Sequence, residues 1–118
     1  MEHEMKLQPE YFDLIKSGIK TIEVRLCDEK RKLLKLGDVV KFIKEPRKIE
    51  TLMAKVVELN CFRSFKELLK VVNVKDIGFD GWSKEEVVKL YRKFYSSSEE
   101  LKYGVLAIKL NVLNEKIK

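Results

Sequence analysis

The sequence of 118 residues predicts an α+β fold in which a curled β-sheet approaches a small barrel and helices flank it. Segments of period two, typical of strands, are interspersed with segments of helical period. Two Ser-x-x-Glu sequences mark helix starts. No low-complexity segment, repeat or Pro/Gly-rich linker divides the chain, so we expect a single domain over residues 1–118.

The first half of the chain predicts one helix among several strands. A short alternating start precedes a helix that begins near Pro9, which suits a first helical turn, and ends at Gly18. A charged connection with a Gly37-Asp38 turn separates the second strand from a hairpin. Strands are expected at Met5–Leu7, Thr21–Cys27, Val39–Lys44 and Thr51–Leu59.

The second half predicts two helices and a final strand. The helices are expected to begin after Ser64 and Ser83, and the second to end at Ser96–Ser98. In the second helix, an apolar stripe expected to face the core consists of Val87, Leu90, Tyr91 and Phe94. The last strand is expected at Tyr103–Leu113, and its inward side chains at Leu106, Ile108, Leu110 and Val112. The predicted order is therefore β-α-β-β-β-α-α-β.

The composition excludes several classes of function. A single histidine, His3, argues against Ser/His/Asp catalysis and multi-histidine metal sites, so we expect no metal and no cofactor. Cys27 and Cys61 form no CxxC pair and are expected to be buried thiols. No apolar run is long enough to span a membrane and no leader opens the chain, which favours a cytoplasmic protein without a membrane partner.

Charge points to the class of partner. Lys and Arg number 25 against 19 for Asp and Glu, a net charge of +6, and charged residues make up 37% of the chain. The high Lys and Glu content is typical of hyperthermophile proteins, whose surfaces carry ion-pair networks. A basic excess also suits nucleic acid, but only where cations cluster locally.

One motif carries most of the functional information. The sequence G-x-K-x-x-E-x-R lies within Ser17–Arg25, where a predicted helix gives way to a predicted strand, and the Gly-Asp turn within Leu36–Val40 follows. Together with the closing strand Tyr103–Ile108, this arrangement resembles the ASCH domain over most of the chain. The resemblance implies a PUA-like β-barrel that binds RNA or a nucleotide in a cleft at this motif.

The motif residues also suggest this chemistry by themselves. Lys20 lies at the helix-to-strand turn, and Thr21, Glu23 and Arg25 alternate onto one strand face. Glu23 could hold two cations apart and aim them, or accept from the exocyclic amine of a base. Arg25 could meet a phosphate or a base edge through its planar fork. The alternative is a surface strand laced with weak ion pairs.

Other candidates surround the motif. Trp82 could stack a base, as could Tyr103, although packing of Trp82 on Val87 before the second capped helix is the favoured interpretation for that residue. A basic rim that would face phosphates could be formed by Lys30, Arg31, Lys32, Lys35, Lys41, Lys44, Arg47 and Lys48. Because acidic residues are interleaved with these cations, a solvated surface is the competing interpretation.

Three functions remain open, and a binding module for RNA or a modified nucleotide is favoured. An enzyme is the second, since some small bacterial ASCH proteins remove the acetyl group of acetylcytidine with a lysine, a threonine and a glutamate. By this resemblance the catalytic residues would be Lys20, Glu23 in place of the threonine, and Asp80 near the glutamate position. A carboxylate beside the lysine favours its ammonium form, so we expect weak hydrolysis or none. A ribonuclease activity is the other form of the second function, and a protein-interaction domain is the third.

Overall fold

The computed structural model describes residues 1–113, which form one five-stranded curled sheet flanked by helices. The strand order is β1-β3-β4-β5-β2, with β1 parallel to β3 and the other pairs antiparallel. The first and second strands along the chain are thus the two edges of the sheet. The strands are β1 (Glu2–Leu7), β2 (Ile22–Leu26), β3 (Val39–Lys44), β4 (Thr51–Phe62) and β5 (Val105–Val112).

Four α-helices connect and cover these strands within the described residues. They are α1 (Pro9–Lys16), α2 (Phe65–Leu68), α3 (Lys84–Phe94) and α4 (Ser97–Tyr103), and short 3-10 turns lie at Arg31–Leu33 and Val74–Ile77. The predicted α+β class is confirmed, and the five strands curl into a half-barrel. In the part of the chain described, no helix is long and apolar enough to span a membrane.

The sheet separates two hydrophobic cores, and β5 contributes to both. Leu106, Ile108 and Leu110 pack inside the curl, in a core that includes α1. Val105 and Ala107 pack on the opposite face, in a core formed with α2 and α3. The sequence predicted the first set alone. When both faces of a strand are buried, the sequence shows no alternation of polar and apolar residues, so the residues of the second core could not be recognised.

The two predicted helix caps are confirmed. The hydroxyl groups of Ser64 and Ser83 accept hydrogen bonds from the backbone N–H groups of Glu67 and Glu86, at 3.1 Å in each case. At Ser83 the capping box is complete, because the Glu86 side chain also accepts from the Ser83 backbone N–H.

The second capped helix ends before Ser96–Ser98, as predicted, but a further helix that was not predicted begins there. Ser96 forms a second complete capping box with Glu99 and begins α4, which ends at Tyr103. The last strand therefore begins at Val105 and not at Tyr103.

The two cysteines differ in exposure. Cys27 is buried as expected, but Cys61 is exposed. Cys61 lies near the end of β4, beyond the bulge between Val56 and Glu58, where few side chains of that strand are buried.

Candidate ligand-binding cleft

The candidate site lies at the seam where the two edge strands of the sheet approach each other. Arg25 on β2 donates from Nη2 to the backbone carbonyl of Lys6 on β1, at 2.8 Å. The carbonyl of the next residue, Leu7, accepts from Glu45 at the end of β3. Alternate carbonyls of a strand point to opposite sides, so that of Lys6 lies on the open edge of β1. A side chain therefore bridges the seam in place of a strand ladder.

Three charged side chains of the motif form a buried cluster, which we call the ionic triad: Lys20, Glu23 and Arg25. Lys20 Nζ lies 2.7 Å from Glu23 Oε1, and Arg25 Nε lies 2.6 Å from Glu23 Oε2. The side chains of Lys20 and Glu23 are each 5% exposed, and that of Arg25 is 16% exposed. Each carboxylate oxygen thus has its own cation.

The position of Lys20 is fixed by contacts from three directions. Its backbone N–H donates to the Leu14 carbonyl near the end of α1, and its ammonium group lies 5.0 Å from the centroid of the Tyr11 ring. On the third side, a Cβ added to Gly78 would lie 3.1 Å from Lys20 Cδ. Gly78 has φ +94°, the left-handed region that favours glycine, and it ends the 3-10 turn. Gly78 thus leaves room for the lysine stem.

The charges of the triad stabilise one another. Burial alone would raise the pKa of Glu23, but Lys20 and Arg25 lower it to about 2. Burial would lower the pKa of Arg25, but Glu23 raises it. The carboxylate therefore stays ionised at neutral pH beside two cations. The cluster presents a net positive charge to a ligand.

The triad lines a cleft of about 240 Å³ whose walls are largely aromatic. Burial raises the pKa of Tyr91 and Tyr95, so their hydroxyl groups remain neutral at neutral pH. Phe94 is 57% exposed at the last residue of α3 and stands at the open side of the cleft. The aromatic wall consists of Tyr11, Phe79, Tyr91, Phe94 and Tyr95.

Of the predicted site residues, the cleft brings together Lys20, Glu23 and Arg25. Thr21 is not among the lining residues, and its backbone N–H donates to the Asp76 carbonyl. Asp80 is exposed and outside the lining, although the preceding residue, Phe79, belongs to it.

The other predicted contacts are spread over the surface. Trp82 packs against the Phe79 ring at 5.0 Å between centroids, outside the cleft lining. Arg31 pairs with Asp28 at 3.4 Å, and its buried Nε has no hydrogen-bond partner within residues 1–113. Lys30 and Lys41 also lie outside the lining of this cleft, and Tyr103 ends α4.

Sequence reasoning missed the aromatic wall. Tyr91 and Phe94 were expected to face the core, yet both line the cleft. Tyr91 is indeed buried, but Phe94 stands beyond the core because α3 ends there. The cluster of aromatic residues at the end of the helix was the available signal.

The described residues hold no group of three or more His, Cys, Asp or Glu side chains placed to bind a metal ion.

Comparison with known proteins gives one family and a set of similar structures. The sequence model of the ASCH domain matches residues 5–114. Hypothetical protein PH0355 is 44% identical, with a TM-score of 0.85 over 96% of this chain and 100% of its own. Protein PF0455 from Pyrococcus furiosus is 41% identical, with a TM-score of 0.77 over 97% and 99%. ASCH from Zymomonas mobilis shares the fold at 19% identity, with a TM-score of 0.67 over 97% of this chain and 73% of its own. No curated protein matches the sequence.

Proposed function

The chain belongs to the ASCH domain family, which is PUA-like and proposed to bind RNA, and on that premise we propose that the cleft binds a single base of RNA or of a free nucleotide. The observation that carries the proposal is the ionic triad buried at the base of an aromatic-walled cleft. Aromatic walls suit a flat ring, and buried cationic donors suit its carbonyl and ring-nitrogen acceptors.

The triad supplies donors in fixed directions. Arg25 uses Nε for Glu23 and Nη2 for Lys6, and within residues 1–113 its Nη1 has no protein partner. Lys20 uses one of its three donors on Glu23. The remaining donors border the cleft, where they meet an acceptor-rich base edge or a phosphate oxygen. Glu23 then acts by positioning the two cations.

The aromatic wall supplies stacking area. Phe94 is exposed at the open side, and Tyr95 follows it in the chain. Stacking of a base on an aromatic side chain contributes about 1–3 kcal/mol and tolerates any base, so selectivity has to come from the triad. The cleft volume of about 240 Å³ lies below the roughly 300–1,000 Å³ of drug-sized pockets, which favours one base over a longer ligand.

Titration of the labelled protein with the four ribonucleoside 5′-monophosphates and with short single-stranded RNAs, followed by NMR, tests the proposal. We expect saturable shifts at cleft residues, with unequal affinity among the four bases. Phe94→Ala should lower the affinity about 5- to 150-fold through loss of stacking. Leu101→Ala is the matched control, because Leu101 is an exposed apolar side chain outside the cleft lining. Binding of none of these ligands, or shifts confined to other surfaces, would overturn the proposal.

A further inference from the structure

A second and larger concavity lies between α2 and α3. Its volume is about 470 Å³, and its apolar floor includes Leu69 and Val88. The charged residues around it comprise a single carboxylate, that of Glu85, and five cations. The cations are Lys66, Lys70, Lys84, Lys89 and Arg92. We call this concavity the basic groove.

Much of the positive charge of the basic groove is uncompensated. Within residues 1–113, Lys66, Lys84 and Lys89 have no carboxylate oxygen within 4 Å. The other two cations are paired: Lys70 lies 3.0 Å from Glu67, and Arg92 lies 3.5 Å from Glu100.

The rim expected from the sequence is likewise only partly paired, because five of its cations have no carboxylate oxygen within 4 Å in residues 1–113. They are Lys30, Lys35, Lys41, Arg47 and Lys48. Arg31 is paired with Asp28, Lys32 with Glu29, and Lys44 with both Asp13 and Glu50. The α2–α3 groove is distinguished by its lining, in which five cations surround one concavity with a single carboxylate. The depression at the rim has Lys44 and Arg47 beside two carboxylates, Glu45 and Glu50.

An aromatic side chain adjoins the basic groove. A shallower depression shares Leu69, Lys70 and Lys84 with it and extends to Trp82 and Val71. Trp82 is 42% exposed and Val71 is 74% exposed. Cations along a groove followed by an exposed indole form the combination that single-stranded nucleic acids bind.

One helix separates the basic groove from the cleft. Leu90, Tyr91 and Phe94 of α3 line the cleft, while Val88 and Arg92 of the same helix line the groove. Residues four positions apart along α3 thus line the same concavity, whereas immediate neighbours such as Lys89 and Leu90 line different ones. A strand that crosses the helix would therefore reach both.

We propose that the basic groove holds the phosphodiester backbone of a single-stranded RNA and that Trp82 stacks one of its bases. The inference rests on the proposed function, because the same RNA places another base in the cleft. The competing occupant, an acidic amphipathic peptide helix, needs anchors at i, i+3, i+4 and i+7. The groove floor of Leu69 and Val88 is short for that set.

The test compares two variants that remove equal charge. Lys84→Gln/Lys89→Gln takes two cations from the basic groove, and Lys35→Gln/Lys55→Gln takes two exposed, unpaired lysines from elsewhere. Affinity for a short single-stranded RNA is measured across a series of salt concentrations. For the groove variant we expect a salt slope shallower by about 1.4 and affinity about 10- to 30-fold lower near 0.1 M salt. For the control variant we expect values near those of the unmodified chain.

Trp82 gives an independent readout because it is the single tryptophan of the chain. RNA should quench its fluorescence and protect it from acrylamide, and the groove variant should lose this response at RNA concentrations that saturate the control. Equal RNA affinity and equal salt slope in the two variants would overturn the inference. Binding of a Glu-rich amphipathic peptide at the groove in preference to RNA would overturn it in favour of a protein partner.

The outcomes for the two sites are distinguishable. Binding of a mononucleotide without an oligonucleotide would overturn the groove and leave the cleft supported. Groove-dependent binding of RNA without any mononucleotide binding would support the groove and overturn the cleft as a base site.

Discussion

The cleft and the basic groove both present positive charge, on opposite sides of α3, yet they hold it in different ways. In the cleft, Lys20 is buried, Arg25 is largely buried, and Glu23 fixes both within 2.7 Å. In the groove, Lys84 and Lys89 are exposed and have no carboxylate oxygen within 4 Å in residues 1–113. Fixed donors discriminate between ligands, whereas mobile cations add salt-dependent affinity without reading sequence. The cleft is therefore suited to selecting a ligand, and the groove to increasing affinity for any polyanion.

The largest expected contrast between the two regions is in folding stability. Glu23→Ala leaves two cations in the seam without their carboxylate, so we expect a loss of about 3–5 kcal/mol in the free energy of unfolding. Lys84→Ala in the groove should change it by less than about 0.5 kcal/mol. Urea denaturation of both variants measures the contrast. A loss below about 1 kcal/mol for Glu23→Ala would mean that the triad is solvated and not a buried unit.

Acid should destabilise the cleft through protonation of Glu23. The pKa of Glu23 is lowered in the folded state from 4.5 to about 2, so its contribution is fully present above pH 4.5 and is lost as pH falls toward 2. The linkage amounts to at most about 3 kcal/mol of unfolding free energy.

The control for this pH effect is Glu23→Gln, which has no carboxyl to titrate. Its unfolding free energy should fall less steeply between pH 4.5 and 2 than that of the unmodified chain. Parallel pH profiles would show that the stabilising charge lies elsewhere.

A smaller effect tests how the cleft is built. Gly78→Ala adds a Cβ 3.1 Å from Lys20 Cδ at a left-handed φ, whereas Gly81→Ala meets nothing within 4 Å at a similar φ of +86°. Both should lose about 1–2 kcal/mol through backbone strain. Only Gly78→Ala should also weaken mononucleotide binding, because it displaces the lysine stem. Equal ligand affinity in the two variants would show that Gly78 does not position Lys20.

The smallest expected effect is catalytic. We expect no acetylcytidine hydrolysis above that of Lys20→Ala, because the triad ties Lys20 to a carboxylate and Asp80 lies outside the cleft lining. Chromatographic detection of cytidine over a range of temperatures measures it. If the unmodified chain hydrolyses acetylcytidine and Lys20→Ala abolishes the turnover, the cleft is an active site and not only a binding site.

Patterns local in the sequence predicted the residues of the ionic triad, which lie on β2 and just before it. Alternation placed Glu23 and Arg25 on one face of β2, with Lys20 three residues before Glu23, and the triad forms there. The Lys6 carbonyl and Gly78 were not predicted, because each reaches the triad from another part of the chain.

The basic groove was invisible for a similar reason. Lys66 and Lys70 on one side and Lys84 and Lys89 on the other come from separate segments, and each pair alone resembles a solvated surface. In contrast, α4 was readable in the sequence. Its Ser96–Glu99 spacing equals that of the two helix starts that were predicted, but the run of serines was interpreted as a break.

The position of β5 has a consequence for how the chain reaches this fold. Its side chains complete both cores. Its backbone pairs with β2, and the paired residues, such as Ile22 on β2 and Lys109 on β5, lie far apart in sequence. Neither core can close until this strand has left the ribosome, so the preceding segments wait with apolar faces uncovered. Such late, non-local closure slows folding and lengthens exposure to aggregation. The yield of folded protein should therefore rise when unfinished chains are kept apart during synthesis.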